Sequence, residues 1–558
     1  MKKLITRIAL AASAVFALAT SSFAQTNLGA DCGCPSVSNR TTTVLMSSLA
    51  TSGGVDDGNL TDSITILDCS KLYILDKKIY VPNGKSLIIN PGVVVKARSY
   101  STPDSAVALT VSRGGKIFAN GTEFCQVVFT AEADPMDGTY ALSNKGKWGG
   151  IAVAGKATNN LRLSPNGPFS VGVAGKICVA DGLGTFEGFN STNYKDQFGA
   201  NLTAGETFND NDNSGILTYV SIRHSGAILV LGGELNGLSL GSVGRGTTID
   251  HIEIVSCADD AIEMFGGTVN VKHYTTLFNN DDMYDYDLGY TGKGQFIFGI
   301  YASDTTVSAD ADNAFEMDAD DQKSNLLPRS HPVVYNATMI GNNKKTLSAD
   351  NSGLSAFQAK EYTEGEFYNS IFANFRYGLN LIKAVGTRTG GFEAYHNWAN
   401  TGGNSTNSLK IKCNAFVGIT KDIAIDKNAA TAVSATDSAQ FFTTDLNTSF
   451  ASLPGFVPTW AANYTTNVVT TKFDAVPNPQ ITNAAGCPTP AADGFYTPVT
   501  YKGAFPATGK NWLSNWAYSQ VLNVTTGLQP CATDCNADGV TNNVDFLQLL
   551  GQFNQSCQ

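Results

Sequence analysis

Three similar phrases of five residues stand in the middle of the chain, and their spacing constrains the fold more than any other feature. They occupy residues 259–263 (Asp-Asp-Ala-Ile-Glu), 281–285 (Asp-Asp-Met-Tyr-Asp) and 312–316 (Asp-Asn-Ala-Phe-Glu). Their final acids are 22 and then 31 residues apart, and fainter copies at 355–358 and 377–380 are again 22 residues apart. A fixed period of this size is typical of stacked coils, so we expect a solenoid in which equivalent residues are neighbours.

The first 24 residues predict a cleaved secretory signal peptide. Lys2, Lys3 and Arg7 precede a mostly apolar run at 8–19, and the small-x-small site 22–24 follows. No later stretch reaches the roughly 18 apolar residues of a membrane span. We therefore expect an exported protein, secreted or held at the cell surface, that is not an integral membrane protein.

The composition narrows the class of partner. The chain has 37 basic and 48 acidic residues, a net charge of −11, so its surface repels nucleic acid and anionic membranes. Eleven cysteines spread over 558 residues fit an oxidising compartment without forming a small disulfide scaffold. These features favour cations, extracellular glycans or surface proteins as partners.

Short apolar runs separated by glycine-containing corners predict the secondary structure. Corners such as 83–84 (Asn-Gly), 91–92 (Pro-Gly) and 120–121 (Asn-Gly) suit turns that need a positive or fixed φ. The runs between them are at 79–81, 87–89, 93–95, 109–111, 117–118 and 127–129. Sandwiches and propellers would show longer hairpins with two-residue turns, so we predict an all-β fold, a right-handed parallel β-helix with long loops.

Several motifs together resemble a group of exported, mostly uncharacterised bacterial β-helix proteins. They are the start at 81–92, the Trp-Gly-Gly-Ile at 148–151, the Asp-Asp phrase before 265–269, and 501–505 followed by Trp512 and Trp516. The resemblance covers roughly residues 70–520 and implies the fold. It does not imply an activity, because one fold hosts many functions.

The end of the chain carries a loop with the spacing of a calcium site. Oxygen ligands fall at loop positions 1, 3, 5, 7, 9 and 12, with Gly539 at the sharp turn, and an amphipathic pattern predicts a helix after them. The expected ligands are Asp534, Asn536, Asp538, Val540, Asn542 and Asp545. The segment resembles one half of a dockerin, which implies a cohesin-like partner; a polar turn closed by a Cys535–Cys557 bridge is the alternative, and the two are compatible.

The acidic phrases are the second candidate site. Like charges about 5 Å apart on adjacent coils would repel by roughly 3 kcal/mol at an effective dielectric near 20, so a cation, a raised pKa, a basic neighbour or water must offset them. One interpretation is a calcium site or an acidic groove that faces glycan; the other is that the acids cap corners by accepting backbone N–H bonds. The candidate residues are Asp259, Asp260, Glu263, Asp281, Asp282, Asp285, Asp287, Glu316 and Asp318.

Two histidines lie at matching positions, His251 twelve residues before Glu263 and His273 twelve residues before Asp285. They should therefore stack on adjacent coils. Glu263, Asp285, His251 and His273 are the candidate catalytic residues of a polysaccharide lyase or glycoside hydrolase.

We predict a signal peptide at 1–24, a lead-in and cap at 25–70, a β-helix at 71–525 and a half-dockerin-like calcium module at 526–558. The favoured function is a secreted or surface binding or adhesion protein that recognises glycan or a surface partner through an acidic flank. The alternative is a calcium-dependent polysaccharide lyase or glycoside hydrolase.

Overall fold

The chain winds into a parallel β-helix, which confirms the predicted all-β solenoid. The computed structural model describes residues 28–102, 106–163, 177–189, 193–230, 233–303, 311–319, 325–343, 354–383, 393–403, 407–426, 432–458, 461–464, 466–471, 474, 476–508 and 511–521. Each full coil places one strand in each of three walls, here called walls A, B and C. The coil that begins with Ile262–Phe265 in wall A continues through Asn270–Leu277 in walls B and C.

Wall A is a ten-stranded parallel sheet in the described part of the chain. Its strands are Ile79–Val81, Leu109–Val111, Ile151–Ala154, Leu238–Gly241, Ile262–Phe265, Asp285–Asp287, Phe315–Met317, Ser355–Ala359, Tyr377–Leu381 and Lys421–Ile425.

Walls B and C form one seventeen-stranded sheet across a corner, again among the described residues. Five strands belong to wall B only: Ile64–Leu67, Ser86–Ile89, Lys116–Asn120, Gly365–Tyr368 and Leu409–Lys412. Seven belong to wall C only: Thr42–Leu45, Lys71–Leu75, Val94–Ala97, Val127–Ala131, Ile371–Ala373, Ala415–Val417 and Thr448–Phe450. Five run through both: Gly215–Arg223, Thr248–Val255, Asn270–Leu277, Lys293–Ile300 and Val333–Ile340.

In seven successive coils, from Tyr219 onward, the corner between walls B and C has one residue in the left-handed backbone region. The residues there have φ between 49° and 60°, which is uncommon outside glycine and cheapest for asparagine. In chain order they are Tyr219, His251, His273, Phe296, Asn336, Asn369 and Cys413. The first four stack as aromatic rings and two of the later ones are asparagines, so one strained position is repeated from coil to coil.

Smaller elements lie in the connections between coils. The antiparallel strands are Ile177–Ala180, Leu183–Thr185, Gln197–Gly199, Ile228–Val230, Gly233–Glu234, Ala461–Asn463 and Val468–Thr471. The α-helices are Ala394–Ala399, Ala435–Ala439 and Tyr518–Val521, and a π-helix spans Gln440–Thr444. Single 3₁₀ turns are Ala30–Cys32, Val37–Asn39, Met46–Leu49, Tyr194–Asp196 and Leu202–Ala204.

The β-helix differs at both ends from the predicted limits of 71–525. Parallel pairing begins at Thr42, whose strand pairs with Lys71–Leu75, so part of the predicted lead-in 25–70 is already wall. The last wall strands are Lys421–Ile425 and Thr448–Phe450. In the early strand Ile64–Leu67, the two isoleucines Ile64 and Ile66 face outward and are more than half exposed, while Thr65 and Leu67 are buried.

Residues 476–508 and 511–521 do not form a coil but run along the outside of walls B and C, and we call them the strap. A disulfide joins Cys487 to Cys413 on a late coil. Asn336 Nδ2 donates to Tyr501 O at 2.8 Å, and Tyr518 N donates to the buried Glu253 Oε2 at 2.8 Å. The strap thus contacts late coils at Cys487 and again at Lys502, and its last helix contacts an earlier coil at Glu253.

Aromatic side chains pack inside the later coils. Phe315 stacks on Phe357 with ring centroids 5.4 Å apart, and contacts Phe367 and Phe372 edge-on at 5.1 and 6.2 Å. All four rings are at most 1% exposed. Two adjacent coils are therefore held together by one aromatic cluster.

We expect Phe315→Ala to lower the free energy of unfolding by about 3 to 5 kcal/mol, because removal of the ring leaves a cavity between the coils. Chemical denaturation followed by circular dichroism measures the change. Phe442→Ala is the matched control, since Phe442 is 41% exposed. Equal losses in the two variants would contradict the packing described here.

Candidate functional site

The three acidic phrases lie on adjacent strands of wall A, in the register that their spacing predicts. Glu263 pairs with Asp285, and Asp285 pairs with Glu316. The column continues through Gln358 and Asn380, which are residues of the two fainter repeats. The phrases therefore mark equivalent positions on successive coils.

The second residue of each phrase caps the following coil. Asp260 Oδ1 accepts from Asp282 N at 2.8 Å, Asp282 Oδ1 accepts from Asn313 N, and Asn313 Oδ1 accepts from Ser355 N at 3.2 Å. Each bond satisfies a backbone donor at the start of a wall A strand. The corner-capping interpretation is therefore correct for this position of the phrase.

The fifth residue of each phrase forms the acidic column on the outer side of wall A. Ile262 and Met264 point into the main core, so Glu263 between them points outward, as alternation in a strand requires. Glu263 and Asp285 are nevertheless only 1% and 4% exposed. An open acidic groove facing glycan was one expectation for these residues, and their burial contradicts it.

At one end of the column the protein supplies its own cation. Lys360 Nζ forms an ion pair with Glu316 Oε1 and lies 3.4 Å from Asp318 Oδ2, while Gln358 Nε2 donates to Glu316 Oε1 at 3.0 Å. Burial alone would lower the pKa of Lys360, but Asp318 and Glu316 raise it well above its usual value. Here the stacked charges are offset by a basic side chain.

The other end of the column gathers three carboxylates from two coils. One oxygen from each of Asp260, Glu263 and Asp285 lies within 4.8 Å of the other two, and all three residues are buried. Asn236 Nδ2 donates to Glu263 Oε2 at 2.6 Å. The buried side-chain oxygen of Asn236, Oδ1, accepts no hydrogen bond in the part of the chain that the structure describes.

Burial and mutual repulsion shift the acids of this cluster. Burial raises the pKa of Asp260 well above its usual value, and the carboxylates of Asp281, Asp285, Asp259 and Asp282 raise it further. Burial raises the pKa of Asp282 in the same way, with Glu316 as the largest charged contributor. Without a cation, the folded protein therefore favours protonated forms of these acids.

Two further groups of acids continue the cluster along the corner before wall A. Asp259, Asp260 and Asp281 form one, and Asp281, Asp282 and Asp312 form the other; in each, one oxygen per residue lies within 4.8 Å of the others. Both share a member with a neighbouring group. The candidate cation sites thus form one continuous acidic patch.

Asp287 and Asp318, two of the predicted acids, lie in a second column on the outer side of wall A, two residues after Asp285 and Glu316 in the chain. Asp287 is fully buried and accepts a hydrogen bond from Leu288 N, and Asp318 holds the Lys360 contact described above. Sequence reasoning missed Lys360, Gln358 and Asn236 as parts of the site. The repeat at 355–358 could have placed Gln358 and Lys360 by register, whereas Asn236 precedes the first phrase and carries no repeat signal.

The candidate catalytic histidines stack as expected but do not meet the acids. His251 and His273 lie at the corner of walls B and C with ring centroids 4.2 Å apart, and both contact Asp250. Glu263 and Asp285 lie in wall A. The proposed constellation of these histidines with the ladder acids is therefore wrong, because a twelve-residue offset carries the chain onto a different wall.

The predicted terminal ligands, Asp534, Asn536, Asp538, Val540, Asn542 and Asp545, lie outside the described residues, as do the signal peptide 1–24 and the module 526–558. Disulfides join Cys32 to Cys125, Cys34 to Cys69 and Cys413 to Cys487, which fits an extracellular protein. Among the described residues, no helix combines the length and apolar character needed to cross a membrane.

The chain matches the family model of the pectate-lyase-like β-helix domain over residues 58–465. This is well over half of the chain, and it contains all of wall A and the acidic column. Comparisons with curated proteins and with solved structures found no match.

We expect metal-free Asp260→Asn to gain stability over the parent protein as the pH rises from about 4 toward 7. The pKa of Asp260 is raised in the folded state. Its contribution to the free energy of unfolding is therefore most favourable at a pH below its pKa in the unfolded chain, about 3.9, and is lost as the pH rises toward its pKa in the folded protein. Asparagine keeps an acceptor for Asp282 N but has no charge to lose.

Thermal unfolding in EDTA across this pH range measures the difference between the variant and the parent. Asp62→Asn is the control, because Asp62 is exposed and far from the cluster in sequence. A difference that stays constant with pH would contradict the raised pKa of Asp260.

Proposed function

Because the chain belongs to the pectate-lyase-like β-helix domain family, we propose that it is an exported protein that binds calcium in wall A and recognises an acidic extracellular polysaccharide. The observation that supports this most directly is the buried group of Asp260, Glu263 and Asp285. Binding, rather than cleavage, is the favoured activity, because the candidate histidines lie on another wall than the candidate acids.

Calcium suits the chemistry of this group. It takes six to eight oxygen ligands and accepts carboxylates and amide carbonyls in flexible geometry. Asp260, Glu263 and Asp285 would supply three anionic ligands, and the buried Oδ1 of Asn236 is a neutral one beside them. A divalent cation would offset the negative charges of these carboxylates, which are otherwise neutralised by protonation.

The polysaccharide surface that we propose lies beside the later coils of wall A, past the end of the strands that carry Gln358 and Asn380. The Lys360 side chain is 30% exposed. Ala359 pairs with Leu381 on the next strand, so Lys360 lies beside Ile382, the residue before Lys383. Lys383 Nζ lies 4.3 Å from the ring centre of Tyr395, and both residues are partly exposed. An ammonium group over an aromatic ring suits the carboxylates and apolar faces of a polyuronate.

The terminal loop at 534–545 is, in this proposal, a second calcium site. It would attach the protein to a surface partner, with a cohesin-like protein as one candidate. The two calcium sites are separable by mutation, since one depends on wall A and the other on the terminal loop.

We expect Glu263→Gln to reduce the increase in unfolding temperature that calcium gives the parent protein. A ligand that binds only the folded state stabilises it by about 2.7 kcal/mol at a concentration 100 times its Kd, and the variant loses one charged ligand. Differential scanning calorimetry with calcium and with EDTA measures the effect.

Two controls accompany this experiment. Asp545→Ala removes a ligand of the terminal loop and should leave the calcium shift of the β-helix transition unchanged, and Asp62→Asn tests for a general charge effect. If Glu263→Gln keeps the full calcium shift, wall A does not hold the ion.

We expect Lys383→Ala and Tyr395→Ala each to weaken binding to polygalacturonate by about tenfold or more, since each removes a charged or stacking contact. Affinity electrophoresis with and without calcium is the measurement, and cleavage products are assayed in the same samples. Phe124→Ala, at a ring that is 53% exposed outside wall A, is the control. Undiminished binding by both variants would reject this surface, and release of unsaturated or reducing ends would establish catalysis instead.

A further inference from the structure

The corner between walls B and C carries a second cluster of potential metal ligands, separate from wall A. Its centre is a stack of four rings on successive coils: Tyr219, His251, His273 and Phe296, with centroid separations of 4.3, 4.2 and 5.2 Å. Of these four positions, the two histidines are adjacent. Two imidazoles are thereby held side by side by the register of the coils.

Asp250 contacts the Nδ1 atom of both imidazoles. Its Oδ1 lies 2.9 Å from His251 Nδ1 and 2.7 Å from His273 Nδ1. One ligand atom from each of the three residues lies within 4.8 Å of the other two. Two nitrogens and one oxygen are therefore grouped closely enough to contact one ion after a small ring movement.

The cluster is held in place before any ligand binds. His251 and His273 have φ of 54° and 49°, so their backbone is fixed by the corner, and their rings are clamped between Tyr219 and Phe296. Their side chains remain 15% and 19% exposed, and that of Asp250 is 34% exposed. The cluster is therefore only partly closed off from solvent.

We propose that Asp250, His251 and His273 form a binding site for a borderline divalent cation of the zinc and copper class. Imidazole nitrogen suits zinc, copper and nickel, whereas calcium prefers oxygen alone, so this site would not compete with wall A for its ion. Two neutral imidazoles and one carboxylate carry a charge of −1, which a divalent cation outweighs. Water completes the coordination.

Coordination changes the hydrogen bonding of the two histidines without a net release of protons. In the present arrangement each Nδ1 can donate a proton to Asp250. On binding the ion, each Nδ1 offers its lone pair and its proton moves to Nε2 of the same neutral ring. The rings must also open beyond their present interplanar angle of 28°, so that both lone pairs face the ion.

The strap covers this corner with two tryptophans. Trp512 lies 5.4 Å from the His273 ring and 6.2 Å from the His251 ring, and Trp516 lies 5.8 Å from the His251 ring. A metal ion held at Nδ1 of both histidines is therefore close to two indoles. This provides an optical signal for occupancy, because bound copper quenches nearby tryptophan fluorescence.

The test uses the full exported chain in excess calcium, so that oxygen-only sites are filled. Zinc is titrated by calorimetry, and copper is titrated with tryptophan fluorescence as the readout. His251→Asn and His273→Asn are the test variants, since Asn336 and Asn369 show that asparagine is accepted at this corner. His396→Asn is the matched control, a partly exposed histidine outside the stack.

We expect micromolar zinc binding and reversible quenching by one equivalent of copper in the parent and in His396→Asn. Each corner variant should lose more than about tenfold in zinc affinity and most of the quenching, while its circular dichroism is unchanged. Trp512→Phe should remove part of the quenching but keep zinc binding. Binding only at millimolar zinc, or equal affinity in parent and corner variants, would overturn the proposal, whatever the outcome for calcium in wall A.

Discussion

The stacking of coils at about 4.8 Å is the constraint on which the rest of this structure depends. Parallel pairing places each residue beside its equivalent on the next coil, as with Glu263, Asp285 and Glu316. Apolar residues gain from this arrangement, since Phe315 and Phe357 stack inside the walls. Charged residues do not, so every stacked acid needs a partner that offsets its neighbour.

The acidic phrases show two solutions to this problem within a few residues. Asp260 and Asp282 use their carboxylates as backbone caps between coils, which places buried charge where it also has a structural role. Glu316 and Asp318 are paired with Lys360. The group of Asp260, Glu263 and Asp285 has the composition of a calcium site, and we propose that ion as its partner. The corner histidines form a separate case, in which neutral rings can stack without repulsion.

Much of the fold and part of the site could be predicted from the sequence. The spacing of the phrases is a direct record of coil length, so the register of Glu263, Asp285 and Glu316 and the stacking of His251 on His273 were both predictable. The burial of Glu263 was not, because the chain that covers an outer wall comes from distant segments. The separation of the histidines from the acids also depended on which wall each strand joins.

The sequence by itself determined that this chain is a β-helix and which residues are neighbours along it, because both follow from a repeat that is local in the chain. The tertiary structure decided which neighbours are buried, which are neutralised and which face solvent. Lys360 contacts Glu316 at a sequence separation of 44 residues, and the strap places Trp512 against His273 from a distant part of the chain. Such contacts depend on how loops and the strap fold over the walls, and no local pattern encodes that.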